Sequence, residues 1–235
     1  DVFAFSVAGS ITGTLEGDAG QDTLVGPDVS TTFTVTSADA GTMGALPFNG
    51  IESLVGGASD DQFILSGGTL SHTIDGAAGS DTLTADNAYN IFRVTGLNSG
   101  EAPGTGGFAN IENLQGNADT DIILLEGGTL DGTVDGEGGI DLLVTDDVDT
   151  TVTINAIGGG TATGVGGFED FESLFTGAGS DSITIAEAGS LSGTLFTGEG
   201  NDSISITPSL GETFEVFGGI GLDELTVDAQ AGVPT

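Results

Sequence analysis

Apolar residues recur in this chain at two fixed distances from an aspartate. The aspartates are Asp22, Asp61, Asp81, Asp121, Asp141, Asp181, Asp202 and Asp223. Seven residues before each stand Leu15, Leu54, Ile74, Leu114, Val134, Leu174, Leu195 and Val216. Two residues after each stand Leu24, Phe63, Leu83, Ile123, Leu143, Ile183, Ile204 and Leu225. A Gly-rich segment such as Gly76-Ala77-Ala78-Gly79-Ser80 separates the two apolar positions. Alternation as in Ser182-Ile183-Thr184-Ile185 puts every second side chain on one face, which is the period of a strand. Gly supplies the positive-φ conformations of tight corners. The pattern is therefore strand, turn, strand. No segment carries a capped stripe of helical period, so we expect almost no helix.

The pattern is nested in a longer repeat. Residues 51–70 match 111–130, 71–90 match 131–150, and 91–110 match 151–170. The repeating unit is therefore about 60 residues long, in three blocks of about 20. Two block types carry the aspartate. The third (31–50, 91–110, 151–170) lacks it and ends near Phe48, Phe108 or Phe168. Short fixed periods signal stacked, quasi-one-dimensional folds. The predicted fold is all-β: a parallel β-solenoid of about 20 residues per coil, with three coils per repeat. About 11–12 coils at ~4.8 Å would make a rod on the order of 55 Å. We expect one continuous array over residues 1–235, with a possible junction near 207–211, where an Asp-bearing block replaces the third type. The array starts mid-block, since Asp1-Val2-Phe3 aligns with Asp61-Gln62-Phe63, and we expect a piece of a longer chain.

Composition narrows the function. There are 36 acidic residues against one basic residue, and the net charge is −35. Such a chain repels nucleic acid and anionic membranes and attracts cations. It has no Cys, hence no disulfide framework or thiol chemistry. No stretch approaches a membrane span, and no direct membrane insertion is expected.

The segment Gly136-Glu137-Gly138-Gly139-Ile140-Asp141-Leu142-Leu143 resembles half of the RTX nonapeptide, as does Gly218 to Leu225. The resemblance implies Ca²⁺, held by Asp carboxylates and backbone carbonyls from neighbouring turns, and oxygen ligands of this kind suit that ion. It makes Asp1, Asp22, Asp61, Asp81, Asp121, Asp141, Asp181, Asp202 and Asp223 the candidate metal ligands. They are expected to pair on adjacent coils as Asp1/Asp22, Asp61/Asp81 and Asp121/Asp141, with Asp181/Asp202/Asp223 as a run. The motif comes once in each Asp-bearing block, not at the nonapeptide's spacing, and is absent from the third block type, so the ladder is expected to be interrupted. Two carboxylates about 5 Å apart repel by ~0.8 kcal/mol in water and ~3 kcal/mol at an effective dielectric of 20. The second value calls for a cation or a shifted pKa. The alternative is that each Asp accepts hydrogen bonds from turn amides.

Other candidates carry less. His72, Tyr89 and Arg93 have no counterparts in the repeat. Glu52, Glu112 and Glu172 recur once per long repeat and read as an exposed structural row, too far apart to act on one bond. Thr-x-Thr occurs mainly in the third block type, which argues against an ice-binding face. No singular acid cluster marks an enzyme.

Segments such as Gly107-Phe108-Ala109-Asn110-Ile111-Glu112-Asn113-Leu114 and Gly127-Gly128-Thr129-Leu130-Asp131-Gly132-Thr133-Val134 resemble the tandem repeats of large bacterial surface proteins, the haemagglutinin-like and RTX-like adhesins. The resemblance implies an extracellular or cell-surface location and a role as stalk, adhesin or filament. Its implied partners are copies of itself, other surface or matrix proteins, or glycans. A glycan-binding face would show repeated exposed aromatics, whereas the Phe positions read as core.

Overall fold

The computed structural model describes residues 1–6, 11–207 and 215–228. Among these there is no helix, and the strands form two long sheets of 12 and 14 strands. Outside the third block type the chain changes sheet at each strand, so two strands make one coil. Coils stack in parallel with the predicted residues in register: Leu54 opposite Ile74, Phe63 opposite Leu83, Ile123 opposite Leu143 and Ile183 opposite Ile204. At ~4.8 Å per strand the longer sheet runs ~60 Å.

The inward columns form one core. Leu24, Phe63, Leu83, Ile123, Leu143, Ile183 and Ile204 are all buried, as expected of residues two after the aspartates. Leu225, on the last described coil, is exposed. Phe33 stacks on Phe63 with ring centroids 4.9 Å apart. No coil closes its own apolar face; each is covered by the next. The strand Glu224–Val227 pairs with Ser203–Ile206, so the stack continues past the expected junction, whose residues 208–211 lie outside the described set.

The third block type corrects the expectation of three coils per repeat. It is no coil but an antiparallel three-stranded meander lying within one sheet. In the first repeat its strands are Thr32–Ser37, Ala40–Met43 and Leu46–Asn49. The second has Asn90–Gly96, Ser99–Glu101 and Phe108–Ala109, and the third Thr151–Ala156, Gly159–Ala162 and Val165–Glu169. The reversals are local. Asp39, Asn98 and Gly158 hold positive φ at the first hairpin, a conformation that suits Asp, Asn and Gly. The middle strand places Gly41, Gly100 or Gly160 where a Cβ would collide with the carbonyl of Thr34, Arg93 or Thr153. A side chain there would force the hairpin apart.

The meander has a topological consequence. The two coils of a repeat take four steps between sheets, and the meander takes a fifth. Five is odd, so each repeat begins on the other sheet. Ser53–Val55 lies in the 12-stranded sheet, Asn113–Asn117 in the 14-stranded sheet and Ser173–Phe175 in the 12-stranded sheet again. The meanders likewise alternate, which keeps the sheets nearly equal in length. The structural period is thus two sequence repeats.

Candidate functional site

The anchor aspartates occupy the corners where the chain enters a strand, and they are buried. Asp22, Asp61, Asp81, Asp121, Asp141, Asp181 and Asp202 are each no more than 2% exposed. Asp1 and Asp223 are exposed. Each expected pair is in contact, through a backbone amide. The Asp61 amide donates to Asp81 Oδ1 at 2.7 Å, the Asp121 amide to Asp141 Oδ1 at 2.7 Å, and the Asp181 amide to Asp202 Oδ1 at 2.9 Å. The Asp202 amide donates to Asp223 Oδ1 at 3.1 Å, and the Asp1 backbone nitrogen to Asp22 Oδ1 at 2.6 Å.

Sequence reasoning missed the ends of these ladders. Three of them begin on a meander: Thr31, Asn90 and Thr150 donate their amides to Asp61, Asp121 and Asp181 Oδ1 at 2.7, 3.0 and 2.8 Å. Three close on glutamates. The amides of Asp22, Asp81 and Asp141 donate to the Oε2 atoms of Glu52, Glu112 and Glu172 at 2.7, 2.8 and 2.7 Å. These glutamates are half-buried ladder ends, not the exposed row expected of them. Register explains their place. Leu24 stands opposite Leu54, so Asp22 and Glu52, two residues before each, also align. The recurrence of Glu once per long repeat, always just after an Ile or Phe, was the available signal.

Within a ladder the aspartates are unequal. Asp61, Asp121 and Asp181, each the first of a pair, have both oxygens satisfied. Asp61 Oδ2 accepts from the Gly57 amide at 2.6 Å, Asp121 Oδ2 from the Asn117 amide at 2.9 Å, and Asp181 Oδ2 from Thr176 Oγ1 at 2.5 Å. The second has a buried Oδ2 with no partner, in Asp22, Asp81, Asp141 and Asp202. For the first three of these the turn conformation accounts for it. Four residues before the aspartate stand Asp18, Ala77 or Glu137, at positive φ. The amides of Ala77 and Glu137 are turned instead onto Asp75 and Asp135 Oδ1, at 3.0 and 2.9 Å.

Burial and the neighbouring charges raise the pKa values of Asp61, Asp81, Asp121, Asp141 and Asp181. Desolvation pushes Asp81 up to about 6, and the charges of Asp61, Glu112 and Asp60 add to it against the hydrogen bond from the Asp61 amide. Asp141 is also pushed up to about 6, by burial and then by Glu172, Asp121 and Asp135, against the hydrogen bond from the Asp121 amide. Asp61, Asp121 and Asp181 are raised, again chiefly by burial, but their hydrogen bonds offset more of it. At Asp81 the unpartnered Oδ2 and the Asn110 carbonyl oxygen crowd the same point, where a Cβ on Gly76 would sit. The Gly there is a matter of close approach.

Ca²⁺ takes six to eight oxygen ligands. The ladder oxygens are largely committed to amides, and no group of three or more His, Cys, Asp or Glu side chains converges among the described residues. The ladder as folded does not fit a calcium cage built from these carboxylates alone.

His72 is half-buried, with Nε2 2.8 Å from Gln21 Nε2. Arg93 pairs with Glu126, and Tyr89 is exposed. No family model, curated protein or solved structure matches the chain.

Proposed function

We propose that this chain is a structural segment of a secreted bacterial surface protein or extracellular filament, a β-solenoid stalk that holds other parts at a distance. One observation carries the reading: the repeated acids, the residues with the most chemical potential, are spent on holding coil to coil. Their periodic use along the rod suits a spacer and leaves no singular reactive group among the described residues, so we assign no catalytic role. A stalk is defined by length. Each long repeat adds on average three and a half strands per sheet, ~17 Å. In the producing cell, replacing the segment by an unrelated rigid rod of equal length should preserve attachment or surface assembly, and a shorter rod should weaken it. Loss of function with the equal-length rod would reject the spacer role in favour of a specific surface.

Calcium stabilisation is a second reading, favoured by the unpartnered Oδ2 atoms and the net charge of −35. It requires carbonyl and solvent oxygens to complete the shell. Melting with excess Ca²⁺ and with chelator, at matched ionic strength, decides it: coincident midpoints reject a specific calcium site.

A further inference from the structure

The outer face of the 12-stranded sheet changes character along the rod. Over the six strands from Asn90–Gly96 to Glu215–Phe217, two outward columns run side by side. One reads Ile91, Ile122, Leu142, Ser173, Thr194 and Glu215 across successive strands. The other reads Arg93, Leu124, Val144, Phe175, Phe196 and Phe217. These side chains point away from the core, since the alternate residues Ile123, Leu143, Leu174 and Leu195 are buried. The three phenylalanines form an outer ladder, with centroids 5.1 and 6.2 Å apart, and Phe196 and Phe217 are 38% and 48% exposed. This corrects the expectation that Phe marks only the core. The fold does not demand such a stripe. The matching outward columns of the 14-stranded sheet carry Thr82, Asn113, Thr133, Thr84, Gln115 and Asp135.

We propose that this stripe is a self-docking surface, on which a second copy of the chain packs face to face with the two rods antiparallel. It deepens the stalk reading, on which it rests, by naming a lateral partner. Three features favour a second copy. First, the stripe is graded, with Leu124 and Val144 at one end of its second column and Phe175, Phe196 and Phe217 at the other. A twofold axis along the strands lays Leu124 on the partner's Phe196 and Val144 on the partner's Phe175, small against large, as sheets packed ~10 Å apart require. Second, the same operation lays Arg93, the only Arg of the chain and already paired with Glu126 of its own chain, on the partner's Phe217, next to the partner's Glu215. Third, a chain of charge −35 repels its copies everywhere else, and this stripe is poor in carboxylates. A glycan is disfavoured. Successive rings are inclined by 53° and 43°, so they offer no coplanar platform, and Ile, Leu and Val offer sugars little.

The stripe covers roughly 400 Å² at ~4.8 Å per strand and ~7 Å per residue pair. That is about half the ~800 Å² per partner of a standard interface, so the dimer is weak. Salt should strengthen it, by screening the repulsion and favouring apolar contact.

The test is sedimentation of the full chain up to ~1 mM, a Kd that corresponds to only about −4 kcal/mol, in low and high salt. We expect a monomer–dimer equilibrium, tighter in salt and weakened at least tenfold by Phe196→Ser or by Leu124→Ser, with melting curves checking that both variants fold. Because the chain has no Cys, Leu124→Cys and Phe196→Cys report the geometry. Mixed together, they should form disulfide dimers far faster than either alone. A monomer throughout in high salt overturns the proposal. Preferential self-crosslinking of Leu124→Cys overturns the antiparallel arrangement. A monomer retained on insoluble glycan only while Phe196 is present assigns the stripe to glycan instead. All of these outcomes are independent of the rod-replacement experiment, so either reading can fail alone.

Discussion

Asp61 and Asp81 sit one above the other at the same corner of adjacent coils, are equally buried, and yet face opposite problems. Asp61 accepts amides on both oxygens, from Thr31 and Gly57. Asp81 accepts the Asp61 amide on one oxygen and nothing on the other. The difference is set by a turn, not by the carboxylates. Where the residue four before the aspartate points its amide inward, the charge is solvated by the backbone. At Asp81 that residue, Ala77, sits at positive φ, its amide leaves, and the pKa climbs to about 6. The same contrast recurs between Asp121 and Asp141. A buried carboxylate is therefore an acceptor to be kept in one coil and a charge to be neutralised in the next.

The largest test removes acceptors. Asp121→Ala strips the partner from the amides of Asn90 and Asn117 and removes one of the three acceptors of the Asn90 side chain, which keeps the Asp86 and Ala88 carbonyls. At ~1–3 kcal/mol per buried group left unpaired, the loss should be roughly 3–5 kcal/mol. The isosteric changes then separate the two classes. Asp61→Asn turns an amide group against the Gly57 N–H and should cost about 1–3 kcal/mol at pH ~8. Asp81→Asn keeps the acceptor for the Asp61 amide and deletes the buried charge. At pH ~8 it should stabilise, by up to ~2–3 kcal/mol. Urea melts of the two variants check the comparison, and it fails if both shift in the same direction at that pH.

Next in size is the pH dependence of the unmodified chain. A carboxyl raised from 3.8 to about 6 binds its proton more tightly in the folded state. Its contribution to stability is complete below about pH 4 and is lost as pH rises through about 6. Asp61, Asp121 and Asp181, also raised, act with the same sign. The rod should therefore melt lower at about pH 7.5 than at about pH 4.5, the reverse of ordinary acid denaturation. A midpoint that rises over that interval would show that these carboxyls are ionised and compensated in the fold. Asp81→Asn and Asp141→Asn combined should flatten the profile.

The sequence carried part of this and hid the rest. Apolar positions at fixed distance from Asp81 or Asp121 named the core columns, because strict alternation leaves one choice of inward face. The aspartate pairs were legible for the same reason. The meander was not. Its block is as long as a coil's, and hairpin signals such as Asn98 and Gly100 are drowned among 43 glycines. Without the meander, the odd number of steps per repeat cannot be seen, nor can the alignment of Glu112 with Asp81. The outer phenylalanines escaped because Leu174-Phe175 and Leu195-Phe196 are consecutive apolar pairs. Period alone does not say which member faces in.

The smallest effect probes that alignment. Glu112 accepts the Asp81 amide, and its charge also helps to hold the Asp81 carboxyl protonated. Glu112→Gln keeps an acceptor oxygen and removes the charge. Because the hydrogen bond survives, stability at about pH 4.5 should change by no more than about 0.5 kcal/mol. Because the repulsion is gone, the Asp81 carboxyl should titrate at lower pH, an outcome a mere exposed row would not give. Carboxyl carbon shifts followed by NMR would read it directly. Asp141, whose ladder ends on Glu172, serves as the internal control and should not move. If Asp81 titrates unchanged in Glu112→Gln, burial and the charges of Asp61 and Asp60 set its pKa, and the glutamate closes the ladder only as a hydrogen-bond acceptor.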